Sequence, residues 1–549
     1  MSLRTRLEET HPCLPGLAQQ LAAGAVSRRE FLRTATLLGL ASASAYAVAG
    51  LPDGGMVRPA RAAAGGTVRF SMRVQPIESP ATYSWLQDSN ISRNVVEYLT
   101  RTGPDNITRG WLCKSWDASR DLRSWTLHLR DDVKWSNGDA LVADHVIWNM
   151  RRWLDPAVGS SVVGLMKGYM LNDAGDALWD ANAIEKVDDY TVRLNARAPQ
   201  LAVPEHLFHY PAAILHPSEN GKFGVGSIGT GAFSLTDYTL GKQAVVTRRD
   251  GYWGKPAALD SVVFVDNGDD PAVALAAVAS GTVHGMYEAS TSQYAALQKV
   301  ESVQMYQVAT GQTAVARMVV TDPLWRDARI RKAMKLAIDA ETALQMSYLG
   351  LGMPGEHHHV SPVHPEYFKL DFMKQNLEEA KSLLAAAGKP DGFEAEIFCK
   401  KDPDWEATAV QIMAQMWKQI GVNVTVTAVS FDEYRDLWDK ESTGFAFTAW
   451  AHRPLGVMVL GLAYRTGAPW NESRYSNPRF DALLTQAEGL LDVGQRRAVM
   501  KDIEALLQDE GPIVQPLWRS LFTVMDKRVK GFRMHPTQYI FCEEWSWEA

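Results

Sequence analysis

Residues 124–153 read Ser-Trp-Thr-Leu-His-Leu-Arg, then Asp-Asp-Val-Lys-Trp-Ser-Asn-Gly-Asp-Ala-Leu, then Val-Ala-Asp-His-Val-Ile-Trp-Asn-Met-Arg-Arg-Trp. The first seven alternate polar and apolar, which is the pattern of a half-buried strand. In the last twelve, Val142, Val146, Met150 and Trp153 recur at helical spacing. Strand followed by covering helix is the unit of a mixed α/β fold. The same alternation runs along the chain. Asp327 is placed to cap a helix whose apolar face is Ile330, Met334, Ala337 and Ile338. Residues 376–387 form a helix ended by Gly388, and Trp405 to Ile420 another ended by Gly421. Val422-Asn423-Val424-Thr425-Val426 is a strand directly after it, and Val499, Ile503 and Leu506 mark a helix stopped by Gly511-Pro512. There is no internal repeat and no low-complexity stretch. The chain therefore reads as α/β throughout.

The 549 residues exceed one ordinary core, so more than one domain is expected. With 46% apolar and 22% charged residues the chain is globular. A net charge of −7 argues against a nucleic-acid partner, because phosphate contact needs a basic face. Four Cys are too few for a disulfide scaffold. The 18 Trp all lie at or after position 85, so the first stretch is a different kind of sequence.

That stretch reads as an address. Ser27-Arg28-Arg29-Glu30-Phe31-Leu32-Arg33 is followed by an uncharged run, Thr34 to Pro52, and Ala60-Arg61-Ala62 offers a small-residue cleavage site. Paired Arg28 and Arg29 before Phe31-Leu32 resemble the twin-arginine export signal. Gly39, Gly50, Pro52 and several Ser argue against a permanent anchor. Residues 1–62 hold seven Arg and four acids, so their removal takes the net charge from −7 to −10. Cys113, Cys399 and Cys542 remain, enough for one disulfide of unspecified pairing. No run after the leader is long and apolar enough to span a membrane. The expected product is periplasmic and soluble.

Several chemical motifs fail on context. Gly224-Val225-Gly226-Ser227-Ile228-Gly229 matches GxGxxG, but a polar segment precedes it and the strand-like Phe233-Ser234-Leu235-Thr236 follows, so it reads as a glycine turn. There is no GxxxxGK[ST], HExxH, GxSxG or CxxC, and an exported metal-dependent hydrolase has nothing to stand on. His357, His358 and His359, with His364 nearby, form the one metal-like cluster. Gly352, Pro354, Gly355, Pro362 and Pro365 around it favour a polar loop, so no metal and no cofactor is assigned, with His357, His359 and His364 the candidates if one binds. Asp131-Asp132, Asp188-Asp189 and Asp269-Asp270 read as solvated turn residues, not acid/base pairs.

Seven segments in order resemble the family 5 extracellular solute-binding proteins of ABC importers. They are Trp111 to Trp116; Trp125 to Arg152; Gly229-Thr230-Gly231-Ala232-Phe233; Arg249 to Gly254; Asp327 to Asp339; Ala380 to Gly388; and Tyr475 to Asp481. The resemblance spans roughly residues 67–520. It implies a two-lobe periplasmic-binding-protein fold of type II, with an extra subdomain in the first lobe and a two-segment hinge. Lobe I is placed at 63–310 plus 516–549 and lobe II at 311–515. It implies a monomer that is no enzyme, takes a small-molecule or peptide-like solute, and delivers it to an inner-membrane permease complex.

The same resemblance locates a site. Peptide binders of the family place a Trp at a strand end and, three residues on, an Asp that holds the peptide ammonium group. Here Phe447-Thr448-Ala449-Trp450-Ala451-His452-Arg453 keeps the Trp and puts Arg453 at the Asp position. A guanidinium repels an ammonium and pairs bidentately with carboxylate or phosphate. The expected solute therefore bears an acidic group. Arg453, unless it is a surface residue or pairs with a carboxylate such as Glu472, contacts it. Trp450 is expected as pocket wall, with His452, Arg465 and Trp470 nearby, and Tyr434, Tyr83 and Trp85 as rings that stack on the solute or pack in the core. A metal-chelate receptor and a peptide receptor of the same fold are the alternatives. Trp111, Trp116, Trp125 and Trp253 read as scaffold.

Overall fold

The computed structural model describes residues 3–51 and 65–548. The expected cleavage site, Ala60-Arg61-Ala62, lies outside the described residues. The chain divides into two compact units: residues 1–266 with 488–493 and 525–549, and residues 267–487 with 494–524.

In the first unit the opening stretch folds as its period demands. Ser124–Leu129 is a strand whose Trp125, Leu127 and Leu129 are buried while alternate residues are less so. It sits between Cys113–Ala118 and Thr191–Asn195 in an antiparallel sheet completed by Ile184–Asp188. The helix Ala143–Leu154 buries Val146, Met150 and Trp153. A second ribbon pairs Thr67–Ser71 in parallel with Ser261–Val265, which continues antiparallel to Gln243–Arg248 and then Phe233–Thr239. The GxGxxG segment is a turn before that last strand, as read. Gly229 is required by close approach: a Cβ there would lie 2.0 Å from the Val95 carbonyl oxygen.

Four short helices, Leu3–Thr10, Leu14–Ala22, Arg28–Leu37 and Ser42–Val48, belong to this first unit. No helix among the described residues is long and apolar enough to cross a membrane. All four Cys are free thiols among the described residues.

The second unit is built on a strand–helix–strand unit. Phe393–Lys400 and Val422–Val429 run parallel, joined by the helix Asp404–Lys418, as parallel strands require. Phe445–Trp450 pairs antiparallel with Val303–Met318. The capped helices form where expected. Asp327 accepts from the Arg329 backbone N–H at the start of Ala328–Leu336, and Asn376 caps Leu377–Ala386. Asp131-Asp132, Asp188-Asp189 and Asp269-Asp270 are exposed, in keeping with turn positions.

Candidate functional site

Phe445–Trp450 ends at the residue singled out from the sequence. Its register places Trp450 opposite Thr313 and Thr448 opposite Val315. Residues two apart share a face of a strand, so Thr448 and Trp450 project together. Both reach Glu472: Thr448 Oγ1 donates to Oε2 at 2.7 Å and Trp450 Nε1 to Oε1 at 2.9 Å. Arg317, fully buried on the neighbouring strand, donates from Nε to Glu472 Oε2 at 3.3 Å. It also donates to the carbonyls of Thr443 and Trp438. Tyr434 lies 2.7 Å from Thr448 Oγ1. The single Thr448 proton is committed to Glu472, so the Tyr434 hydroxyl is the donor, and the chain runs Tyr434 to Thr448 to Glu472. Burial pushes the Glu472 pKa up, while Arg317, Thr448 and Trp450 pull it back. Glu472 is therefore saturated by a cation, a hydroxyl and an indole. The cation on that carboxylate is Arg317, so the alternative in which Glu472 pairs Arg453 is not the one seen.

The three residues after the strand form a buried bend. His452 Nδ1 accepts the Gly311 backbone N–H at 2.9 Å. Arg453 is 3% exposed and donates from Nη1 to the Ala451 and His452 carbonyls at 3.2 and 3.1 Å. Its own carbonyl lies 3.1 Å from His364 Nε2. His364 Nδ1 accepts the Ser361 N–H at 3.0 Å, so the ring proton sits on Nε2 and faces Arg453. The guanidinium carbon lies 6.0 Å from the Trp470 ring, and Trp470 lies 6.1 Å from Trp450. Trp450, Trp470 and Arg453 are thus brought together, with Glu472 held by Trp450 and Tyr434 one hydrogen bond behind Thr448. Arg465 is buried and donates to Thr485 Oγ1 at 3.4 Å. Tyr83 and Trp85 belong to the first unit. Tyr83 is buried and donates to the Ile77 carbonyl at 2.8 Å, while half-buried Trp85 precedes the helix Leu86–Ser92.

The histidine cluster lies in a loop, as its flanking Gly and Pro residues suggest, but the loop is buried. His357, His358, His359 and His364 are all buried. The rings find partners that the flanking Gly and Pro residues do not reveal. His357 Nδ1 accepts the Gln515 N–H at 2.9 Å, and His359 Nδ1 lies 2.7 Å from the Tyr464 hydroxyl. The His359 ring stands edge-on to Trp450 at 5.5 Å. His358 Nε2 is 3.8 Å from both Glu356 Oε2 and Glu504 Oε2. Burial holds His357 and His358 down to about 3, and His359 well below its ordinary value. Among the described residues no three His, Cys, Asp or Glu form a group that could hold a metal ion. Sequence reasoning missed Arg317, Thr448 and Glu504 as members of this region. Their partners lie far off along the chain, and no local pattern marks them.

Two of the four scaffold tryptophans, Trp111 and Trp253, converge on a second buried carboxylate, in the first unit. Glu97 accepts from Trp111 Nε1 at 2.7 Å, Tyr252 OH at 2.9 Å and Trp253 Nε1 at 2.8 Å. Burial pushes its pKa up, and these donors lower it.

A family model described as bacterial extracellular solute-binding proteins, family 5 Middle, matches residues 108–470. The dipeptide-binding protein DppE of Bacillus subtilis (strain 168) is 25% identical over 478 residues, covering 81% of this chain and 85% of DppE. The murein tripeptide binding protein MppA of Escherichia coli superposes with a TM-score of 0.80 at 21% identity, over 88% of this chain and 99% of MppA. AgaA of A. tumefaciens R10, in complex with agropinic acid, gives 0.79 at 19% identity, over 88% and 99%. These likenesses show a type II periplasmic-binding-protein fold with two lobes.

Proposed function

The chain belongs to the bacterial extracellular solute-binding proteins of family 5, the receptors of ABC importers, and we propose that its solute carries an acidic group. The observation that carries this is the buried guanidinium of Arg453 immediately after Trp450, beside the Trp470 ring. An ammonium brought to that point is repelled, and at low effective dielectric the repulsion costs several kcal/mol. A carboxylate or phosphate gains charge-assisted hydrogen bonds instead. The complex of AgaA with agropinic acid supports an acidic solute on this fold.

Trp450, Arg453, His452, Arg465 and Trp470 are proposed to line the solute, with Tyr434 supporting them through Thr448. Lobe closure would be stabilised only by what the solute gains from both sides. The receptor acts as a monomer and hands its solute to a membrane permease. Residues 1–62 are proposed as a twin-arginine signal that directs the chain to the periplasm.

A melting-temperature panel of free dipeptides, dicarboxylates, organic phosphates and N-acylated amino acids tests the solute class. A solute at about 100 times its Kd stabilises by about 2.7 kcal/mol. Acids are expected to shift the melt, and Arg453→Ala is expected to lose about 1.5–3 kcal/mol of that binding. Stabilisation by free dipeptides with no response to acids overturns the proposal.

A further inference from the structure

The leader is packed onto the body. Ser27 caps the helix Arg28–Leu37 in a reciprocal box with Glu30. From there Phe31, Leu32, Ala35, Leu37, Leu38 and Leu40 are buried, as are Ala45 and Tyr46 in the next helix. Three body residues grip this stretch. Trp116 Nε1 donates to the Leu37 carbonyl at 2.8 Å. The Asn106 carbonyl accepts from Arg33 Nε at 3.3 Å. Asp105 accepts from the Tyr46 hydroxyl at 2.8 Å and is itself held by Arg109 at 2.7 Å. Gly39, with φ +91°, fits against the body so closely that a Cβ would lie 2.6 Å from the Trp116 carbonyl oxygen. Arg28 and Arg29 stay exposed.

We infer that the surface formed by Asp105, Asn106, Arg109 and Trp116 is a receptor for the chain's own residues 31–46, which masks the apolar part of the export segment while leaving the arginine pair at the surface. The inference rests on reading residues 1–62 as an export signal. Its physical basis is the apolar run: left in water it would seek any apolar phase, a lipid surface included. The receptor surface exists only once the body has folded, because its residues come from around the strand Thr108–Gly110 and from Cys113–Ala118. Masking is therefore a property of the folded precursor. Membrane engagement requires undocking, and cleavage of the leader bares the surface.

The test uses the full-length chain with its leader retained. Two readouts are followed: hydrogen exchange of residues 31–46, and co-sedimentation with phosphatidylglycerol/phosphatidylethanolamine vesicles. Wild type is expected to show at least tenfold protection and little vesicle binding. Gly39→Val adds both the Cβ clash and a disfavoured φ. It is expected to lose the protection and raise the vesicle-bound fraction several-fold, with the melt of the body unchanged. Asp105→Ala, which leaves the leader sequence intact, is expected to move both readouts the same way by less. Exchange of 31–46 at unfolded-peptide rates in wild type overturns the inference, as does an unaltered vesicle-bound fraction in both variants. Export of Arg28→Lys/Arg29→Lys in the producing cell separates the premise. If that variant still reaches the periplasm at wild-type yield, the export reading falls and masking of an export signal falls with it, even if the exchange data show docking. If export is lost while 31–46 are unprotected, the signal stands and the masking alone is wrong.

Discussion

Glu97 in the first unit and Glu472 in the second are both buried carboxylates, and each collects its donors from distant parts of the chain. The difference lies in the donors. Glu97 is held by two indoles and a phenol, all neutral. Glu472 is held by a hydroxyl, an indole and the fully buried guanidinium of Arg317. The first node closes a scaffold: its direct donors are neutral, and the Arg101 and Arg130 guanidiniums beside it stack on the Trp111 and Trp253 rings. The second fixes Trp450 at a strand end, and the next residues put a buried arginine there. One device, a saturated carboxylate, makes a core in one unit and the floor of a candidate site in the other.

Acid breaks the symmetry most. His357, His358 and His359 of the second unit are all held neutral by burial, the first two down to about 3. Their unfolded pKa is about 6.5. Their folded values are lowered, so the stability they carry is full above about pH 6.5 and is lost as pH falls towards 3. Each group costs about 1.4 kcal/mol per pH unit within that window. In the first unit burial holds His535 down to about 3 and lowers His11 and His145. Hydrogen exchange at pH 5 is expected to show the second unit opening first. Simultaneous opening of both units would refute the contrast. Glu504, pushed up to about 9 by burial and by Glu356 and Glu366, acts in the opposite sense. Its contribution is full below its unfolded value and lost as pH rises towards 9. Glu504→Gln is expected to flatten the alkaline limb of stability, read as urea midpoints between pH 6 and 9.

Glu472→Gln leaves Arg317 buried without its anion, and about 3–5 kcal/mol of stability should go. Glu97→Leu orphans neutral donors only and should cost about 3 kcal/mol, with no change in solute affinity. Denaturant midpoints give the ranking, and a larger loss at Glu97 would reverse the reading of the two nodes. Tyr434→Phe removes only the far end of the hydroxyl chain, and about 1 kcal/mol is expected from the same measurement.

Much of this was legible in the residues. The alternation at Ser124–Leu129, the caps at Asp327 and Asn376, and the glycine stops at Gly388 and Gly421 act within one or two turns, so local spacing reveals them. The end of the strand at Trp450 matches the position read from the family resemblance. The burial of the histidine loop was not legible, because burial is not a property of the flanking Gly and Pro. The partner of Glu472 was not legible because its cation, Arg317, lies 155 residues away.

The sequence by itself determined the α/β alternation, the element ends, the charge at the residue three after Trp450, and the different character of the first 62 residues. Only the tertiary structure decided which donors saturate Glu97 and Glu472, that four histidines are buried, and that the helix Arg28–Leu37 lies against Trp116. The reason is range. Backbone propensity and capping act between neighbours in the chain, whereas a buried polar group must find its partner wherever the fold brings one within about 3 Å.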